Sequence, residues 1–190
     1  MSDWLETIYG PIPAALLLRA QRIRLLICDV DGVLTNGYLY RGSQGGEIKS
    51  FHVHDGYGIR RLQAINIRVA IITCGKSRMV SDRATQLGIE WVYQDQAEKT
   101  VAFHQLLQRG QLLPQQVAYI GDDLIDWPVL CEVGLAACVA DAHPWLLSRV
   151  HYVTRKPGGA GAVRELCDLL LLANQQFPGD DASIATGSQP

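Results

Sequence analysis

Cysteine pairing is the first thing this chain lacks. Its five cysteines, Cys28, Cys74, Cys131, Cys138 and Cys167, are odd in number, scattered and free of CxxC spacing. That excludes a disulfide framework and a cysteine zinc site, and it is the usage of a reducing cytosol. Long apolar runs are missing too. A stretch such as Leu169 to Ala173 falls far short of the ~20 residues that a membrane-crossing helix needs. Asp3 and Glu6 precede any apolar segment, which is not the order of an export signal. Neither sign of charge is in excess: 17 basic and 19 acidic residues leave a net charge of -2, so no nucleic-acid or membrane surface is expected. The reading left by these absences is a cytoplasmic protein that acts on a small molecule.

What is present is a chain of 190 residues, 48% hydrophobic and 19% charged, enough for one domain with a substantial core. The run Leu25-Leu26-Ile27-Cys28-Asp29-Val30-Asp31 drives an apolar strand into two carboxylates one residue apart. Such a strand fits a parallel sheet buried on both faces, and in open α/β sheets ligands bind beyond the carboxyl ends of the strands. Tyr38 to Tyr40 and Glu47 to Phe51 flank Arg41-Gly42-Ser43-Gln44-Gly45-Gly46, the composition of a hairpin flap standing over those carboxylates. Strands are predicted at Arg68 to Thr73, Trp91 to Tyr93, Val117 to Ile120 and Ala136 to Val139, with helices between them. This alternation predicts a doubly wound α/β sheet. The helix near 97 to 109 is expected to pack Val101, Ala102 and Leu106 on one side, and the last helix Val163, Leu166 and Leu170. Residues 1–22 read as a lead-in containing a short helix, 23–175 as the domain, and 176–190 as a polar, flexible tail.

Chemistry-bearing residues fall at the expected carboxyl ends of strands: Asp29 and Asp31, then Thr73, then Lys99, then Asp122 and Asp123 in Gly121-Asp122-Asp123. They are far apart in sequence, yet a doubly wound sheet would gather them at one edge. Carboxylates from two strands suit a hard cation such as Mg²⁺ beside a substrate phosphate. A hydroxyl and an ammonium would complete a cradle for phosphoryl transfer.

In order and spacing, DVDGVLT, IIT, Lys99 and GDDLIDWP resemble the four motifs of the haloacid dehalogenase superfamily. With FHVHDGYGIR, VADAHP and GGAGAVRELCDLLL, the chain resembles more narrowly, over residues 22 to 175, the cap-less 3-deoxy-D-manno-octulosonate 8-phosphate phosphatases and their sialic-acid-type relatives. The resemblance implies a Rossmann-like core without a cap domain, and a homotetramer in which flaps form an inter-subunit barrel. It implies Mg²⁺ held by Asp29, the Asp31 carbonyl and Asp122, with Asp126 orienting a metal-bound water and Asp123 in support. Asp29 would attack phosphorus, Asp31 would serve as acid and then base, and Thr73 and Lys99 would bind phosphate oxygens. Substrate contacts carry over to Asp31, His52, Val53, His54, Asp55, Gly56, Arg60, Gly75, Arg83 and Lys99. The implied substrate is the sugar-acid phosphate of a lipopolysaccharide pathway, with no nucleic-acid or membrane partner.

Three positions depart from that pattern, since His54, Gly75 and Ala160 stand where arginine is expected. Each lost charge-assisted contact is worth about 1.5–3 kcal/mol. This loss keeps open a related eight- or nine-carbon sugar phosphate, or a catalytically weak homologue with a binding role. Other readings are less favoured. An EF-hand register counted from Asp29 puts Val33 and Tyr40 at ligand positions. In the P-loop-like Ala70 to Ser77, the intervening residues belong to an apolar strand. Asp122 and Asp123 also suit a helix cap, Lys99 a solvated helix start, and His52 with His54 a solvated or substrate-facing pair. The Gly158 to Gly161 cluster fits either a phosphate site at a helix start or a turn closing the site from beside it.

Overall fold

The computed structural model describes residues 4–42 and 46–177. In chain order, β1 (Trp4–Leu5) and β2 (Ile12–Pro13) pair antiparallel and lead into α1 (Ala14–Ala20). Then come β3 (Leu25–Cys28), β4 (Tyr40–Arg41), β5 (Glu47–Ile48), α2 (Val53–Ala64) and β6 (Arg68–Ile72). They are followed by α3 (Arg78–Leu87), β7 (Trp91–Tyr93), α4 (Lys99–Gly110) and β8 (Val117–Gly121). The remainder is α5 (Trp127–Leu130), β9 (Leu135–Cys138), α6 (Pro144–Leu147), β10 (Tyr152–Val153) and α7 (Ala162–Ala173).

Six parallel strands form the main sheet in the order β10-β9-β8-β3-β6-β7. All four residues of β3 are fully buried, which is why this strand carries no alternating pattern. It lies between β8 and β6, with Ile27 opposite Tyr119 and Ala70. From β3 the chain winds outward through β6 to β7, then returns across β3 to β8 and winds the other way. The switch point is therefore at β3 and β8, and the crevice beyond their carboxyl ends is where such folds place their ligands. Between β3 and α2 stands only the β4–β5 flap, with Tyr40 opposite Ile48, so the described residues contain no cap domain. The flap turn Ser43-Gln44-Gly45 and the tail from Pro178 onward lie outside the described residues.

Several expectations need correction. Val101 is 48% exposed, and Phe103 joins Ala102 and Leu106 in the core instead: Val101 lies one residue, about 100° of helical turn, before Ala102. α7 is buried on nearly all sides rather than along one stripe, because it packs against both α1 and α2. Two strand pieces escaped the sequence reading, the β1–β2 ladder and β10, each only two residues long. His52 is the N-cap of α2, its Nδ1 accepting the His54 N–H at 3.3 Å.

Candidate active site

Asp29 follows β3 directly, and its N–H continues the ladder to the Ile120 carbonyl at 3.1 Å. Three residues on, Gly32 turns the chain with φ +87°, and a Cβ on it would lie 2.1 Å from Asp122 Oδ2. Only glycine lets the first loop approach the acidic loop so closely. Thr73 directly follows β6 and is 2% exposed, and its hydroxyl accepts the Gly75 N–H at 3.4 Å. Lys99 opens α4 with its side chain 1% exposed, its Nζ 2.9 Å from Asp29 Oδ2 and 2.6 Å from Asp126 Oδ1. The solvated reading of Lys99 is thereby excluded. Burial works against its charge, but the carboxylates of Asp29 and Asp126 outweigh burial and raise its pKa.

Asp126 is fully buried and saturated. Its Oδ1 accepts the Tyr119 hydroxyl at 2.5 Å as well as Lys99, and its Oδ2 accepts the N–H groups of Asp122 at 2.9 Å and Asp123 at 3.2 Å. It shapes the acidic loop from beneath. Asp123 caps the short turn that follows, its Oδ1 accepting the Leu124 N–H, so the helix-cap reading holds for Asp123 while Asp122 faces the cluster. Tyr119 was missed in the sequence because it reads there as one more apolar strand residue.

Asp29, Asp122 and Asp126 each place a carboxylate oxygen within 4.8 Å of the others. Asp29 Oδ1 is buried and has no hydrogen-bond partner, a costly state for a carboxylate oxygen. Burial, then the charges of Asp29 and Asp126, push Asp122 up to about 7. Burial, then Asp126, push Asp29 up to about 6 against the pull of Lys99. An orphaned buried oxygen beside a second carboxylate reluctant to ionise fits a hard divalent cation with oxygen ligands. Because Asp126 is already saturated, Asp29 and Asp122 are the side chains that fit as ligands.

Asp31 points elsewhere. Its Oδ1 lies 2.5 Å from Lys49 Nζ, which also pairs with Glu47 at 3.1 Å while the Lys49 side chain is only 6% exposed. Thr35 donates to the same oxygen at 3.5 Å. Lys49, just past the flap, was missed because nothing in one sequence distinguishes it from a solvated lysine beside a strand.

The remaining expected contacts divide into two groups. Gly75 borders the site, a Cβ there lying 3.3 Å from Asp31 Oδ2 and 3.9 Å from Thr73 Oγ1. Val53 and His54 are exposed at the start of α2, and His52 stacks edge-on to His54 with ring centroids 4.9 Å apart. Asp55 is 2% exposed, and its Oδ1 accepts the Arg164 N–H of α7 at 2.7 Å. Burial comes first among the causes that raise the Asp55 pKa. Gly56 is buried against the Arg83 guanidinium. Arg60 and Arg83 both bind Gln86, through its carbonyl and its side chain respectively. In this chain, then, Asp55, Gly56, Arg60 and Arg83 knit α2 to α3 and α7. The Gly158 to Gly161 segment packs backbone to backbone on residues 32–36, with the Gly159 N–H donating to Val33 O, which favours the closing turn over a phosphate cradle.

The chain and its fold match known proteins closely. The chain is 57% identical over 176 residues to the 3-deoxy-D-manno-octulosonate 8-phosphate phosphatase of Yersinia pestis, covering 93% of this chain and 94% of that one. The chain belongs to this phosphatase family. A crystal structure of the Yersinia pestis family member superposes with a TM-score of 0.92 at 56% identity, covering 94% of this chain and 97% of that one. Another family member, from Moraxella catarrhalis, was solved with a magnesium ion, a phosphate ion and a KDO molecule. It superposes with a TM-score of 0.83 at 38% identity, covering 92% of this chain and 98% of that one. Residues 84–166 match the haloacid dehalogenase-like hydrolase family. His54, Gly75 and Ala160, the three positions where arginine was expected, are all exposed.

Proposed function

We propose that this chain hydrolyses 3-deoxy-D-manno-octulosonate 8-phosphate to the free sugar acid and inorganic phosphate. The observation that carries the reading is the state of Asp29, with one carboxylate oxygen clamped by Lys99 and the other buried without a partner. A carboxylate held this way is oriented and only partly neutralised, as an in-line nucleophile must be. One Asp29 oxygen bonds to phosphorus as the bond from phosphorus to the sugar oxygen breaks, giving an aspartyl-phosphate. Asp31 gives the departing alkoxide a proton. In the second half the Asp31 carboxylate takes a proton from water, whose oxygen attacks phosphorus and frees Asp29 with inorganic phosphate. Lys99 and Thr73 hold phosphate oxygens as charge spreads over them. Lys49 fixes the Asp31 carboxylate between turnovers.

Asp29 and Asp122 would hold Mg²⁺, with the Asp31 carbonyl. When bound, the ion supplies neutralising charge for the phosphate beside the carboxylates. The exposed apolar side chains of the flap region, Tyr38, Leu39, Tyr40 and Ile48, support a homotetramer joined through the flaps. Free cysteines and the absence, among the described residues, of any helix long and apolar enough to cross a membrane support work in the cytoplasm. The open positions at His54, Gly75 and Ala160 favour, as a second reading, a related eight- or nine-carbon sugar-acid phosphate.

The test is phosphate release from a panel of sugar phosphates, with Mg²⁺ or EDTA, for the wild type and Asp29→Asn. Metal-dependent turnover that prefers the eight-carbon sugar acid and disappears with Asp29→Asn is expected. Preference for another sugar acid selects the second reading, and no turnover on any member overturns both.

A further inference from the structure

Glu165 is a fully buried carboxylate that the phosphatase chemistry leaves unused. It lies in the first turn of α7, which starts at the left-handed Gly161 with φ +103°. Its Oε1 accepts the Tyr152 hydroxyl at 2.7 Å and the Arg155 N–H at 2.8 Å, and its Oε2 accepts the Lys156 N–H at 3.2 Å. All three donors are neutral, so the charge serves no ion pair in these bonds. It draws residues 152–156 against the start of α7, and those residues feed directly into the glycine-rich turn.

That turn rests on the loop carrying the general acid. The Gly158 N–H donates to Asp141 Oδ1 at 2.8 Å, and the Gly159 N–H donates to the Val33 carbonyl at 2.9 Å. A Cβ on Gly158 would fall 1.7 Å from the Gly32 carbonyl oxygen, and one on Gly159 would fall 2.4 Å from the Asn36 N. These are backbone contacts with no flexible side chain to give way. Residues 32–36 in turn hold Asp31 through Thr35, whose N–H and hydroxyl both reach the Val30 carbonyl and whose hydroxyl also reaches Asp31. A continuous set of short contacts therefore joins Glu165 to the loop of Asp31, more than one hundred residues away in sequence.

We infer that Glu165 is a positioning residue for proton transfer: by fixing the glycine-rich turn it sets the loop that aims Asp31 at the leaving oxygen. This rests on the phosphatase reading above, and it assigns Glu165 no contact with substrate. A group acting only through Asp31 matters where the leaving group needs a proton, as a sugar alkoxide does. In forming the aspartyl-phosphate it matters little where the leaving group departs unaided, as p-nitrophenolate does, while hydrolysis of that intermediate is common to both substrates.

The test compares Glu165→Gln with wild type on sugar phosphates and on p-nitrophenyl phosphate, both with Mg²⁺. Glutamine keeps the shape but places an N–H₂ group opposite backbone donors. Expected is a fall in kcat/KM, which reads formation of the aspartyl-phosphate, of at least tenfold on the sugar phosphate the wild type uses best, with less than a threefold fall in kcat/KM on p-nitrophenyl phosphate. Equal losses on both substrates, or no loss on either, overturn the inference. Tyr152→Phe removes one donor and leaves both backbone bonds, so it decides the matter if Glu165→Gln does not fold. The same selective loss, about threefold, is expected, and its absence overturns the inference. Wild type that turns over p-nitrophenyl phosphate and some sugar phosphate other than the proposed one strikes only the proposed substrate.

Discussion

Gly32 and Asp122 share a space too small for a methyl group, since a Cβ on Gly32 would lie 2.1 Å from Asp122 Oδ2. With its φ of +87°, Gly32 also occupies backbone space that costs an alanine about 1–2 kcal/mol. Gly32→Ala is therefore expected to push Asp122 away from Asp29 and to abolish metal-dependent turnover, while the sheet remains intact. Phosphate release across a Mg²⁺ titration beside a circular-dichroism melt checks this. Wild-type Mg²⁺ dependence in Gly32→Ala would refute the packing argument.

How much of this was legible before any coordinates is clearest at the same edge of the sheet. Asp29, Thr73, Lys99 and Asp122 could be placed together because parallel strands of apolar residues fix where their carboxyl ends lie, and topology does the rest. Lys49 and Tyr119 could not. Lys49 reaches Asp31 across 18 residues through the path of the flap, and Tyr119 donates to Asp126 from within a strand whose pattern shows only burial. The roles of Asp55 and Glu165 were hidden for a related reason: apart from the Tyr152 hydroxyl on Glu165, the partners named for them are backbone N–H groups, and backbone groups leave no mark in a sequence.

Proton uptake by the acidic cluster gives the metal-free chain a defined pH dependence. Burial and the neighbouring carboxylates raise Asp122 to about 7, and burial with Asp126 raises Asp29 to about 6. A carboxyl group with a raised folded-state pKa binds more protons folded than unfolded, so its contribution is fully present below its unfolded pKa near 4 and is lost as pH rises through 6 to 7. Without metal, this cluster should make the protein less stable at pH 8 than at pH 5.5, and Asp122→Asn should flatten that slope. Mg²⁺ competes with those protons, so its stabilising shift of Tm should grow over the same window. Melting curves with EDTA and with Mg²⁺ at several pH values measure both effects. A Mg²⁺ shift independent of pH would contradict the assignment.

Lys99 neutralises two buried carboxylates at once. Lys99→Met removes that charge and leaves Asp29 and Asp126 facing one another in a buried site, a change that costs about 3–5 kcal/mol when one partner of a buried ion pair is lost. Turnover should vanish and the chain should melt well below wild type. Lys99→Met combined with Asp126→Asn should recover part of the stability without recovering activity, because one of the two stranded charges is gone. A double variant no more stable than Lys99→Met would show that the repulsion is relieved in some other way.

His54 stands where related phosphatases are expected to carry arginine, at an exposed position in the first turn of α2. A guanidinium offers a carboxylate two parallel N–H groups in a rigid fork and stays charged at all working pH values, whereas an imidazole offers a given anion one donor at a time. If His54 faces the sugar-acid carboxylate, His54→Arg adds a charge-assisted contact worth about 1.5–3 kcal/mol. The expected result at pH 8 is a KM for the sugar-acid phosphate lower by about tenfold or more, with kcat nearly unchanged, because the new contact is made equally to substrate and transition state. A neutral sugar phosphate should show no such gain. An equal gain on both would place the new charge on the phosphate end, and no gain on either would remove position 54 from the substrate contacts.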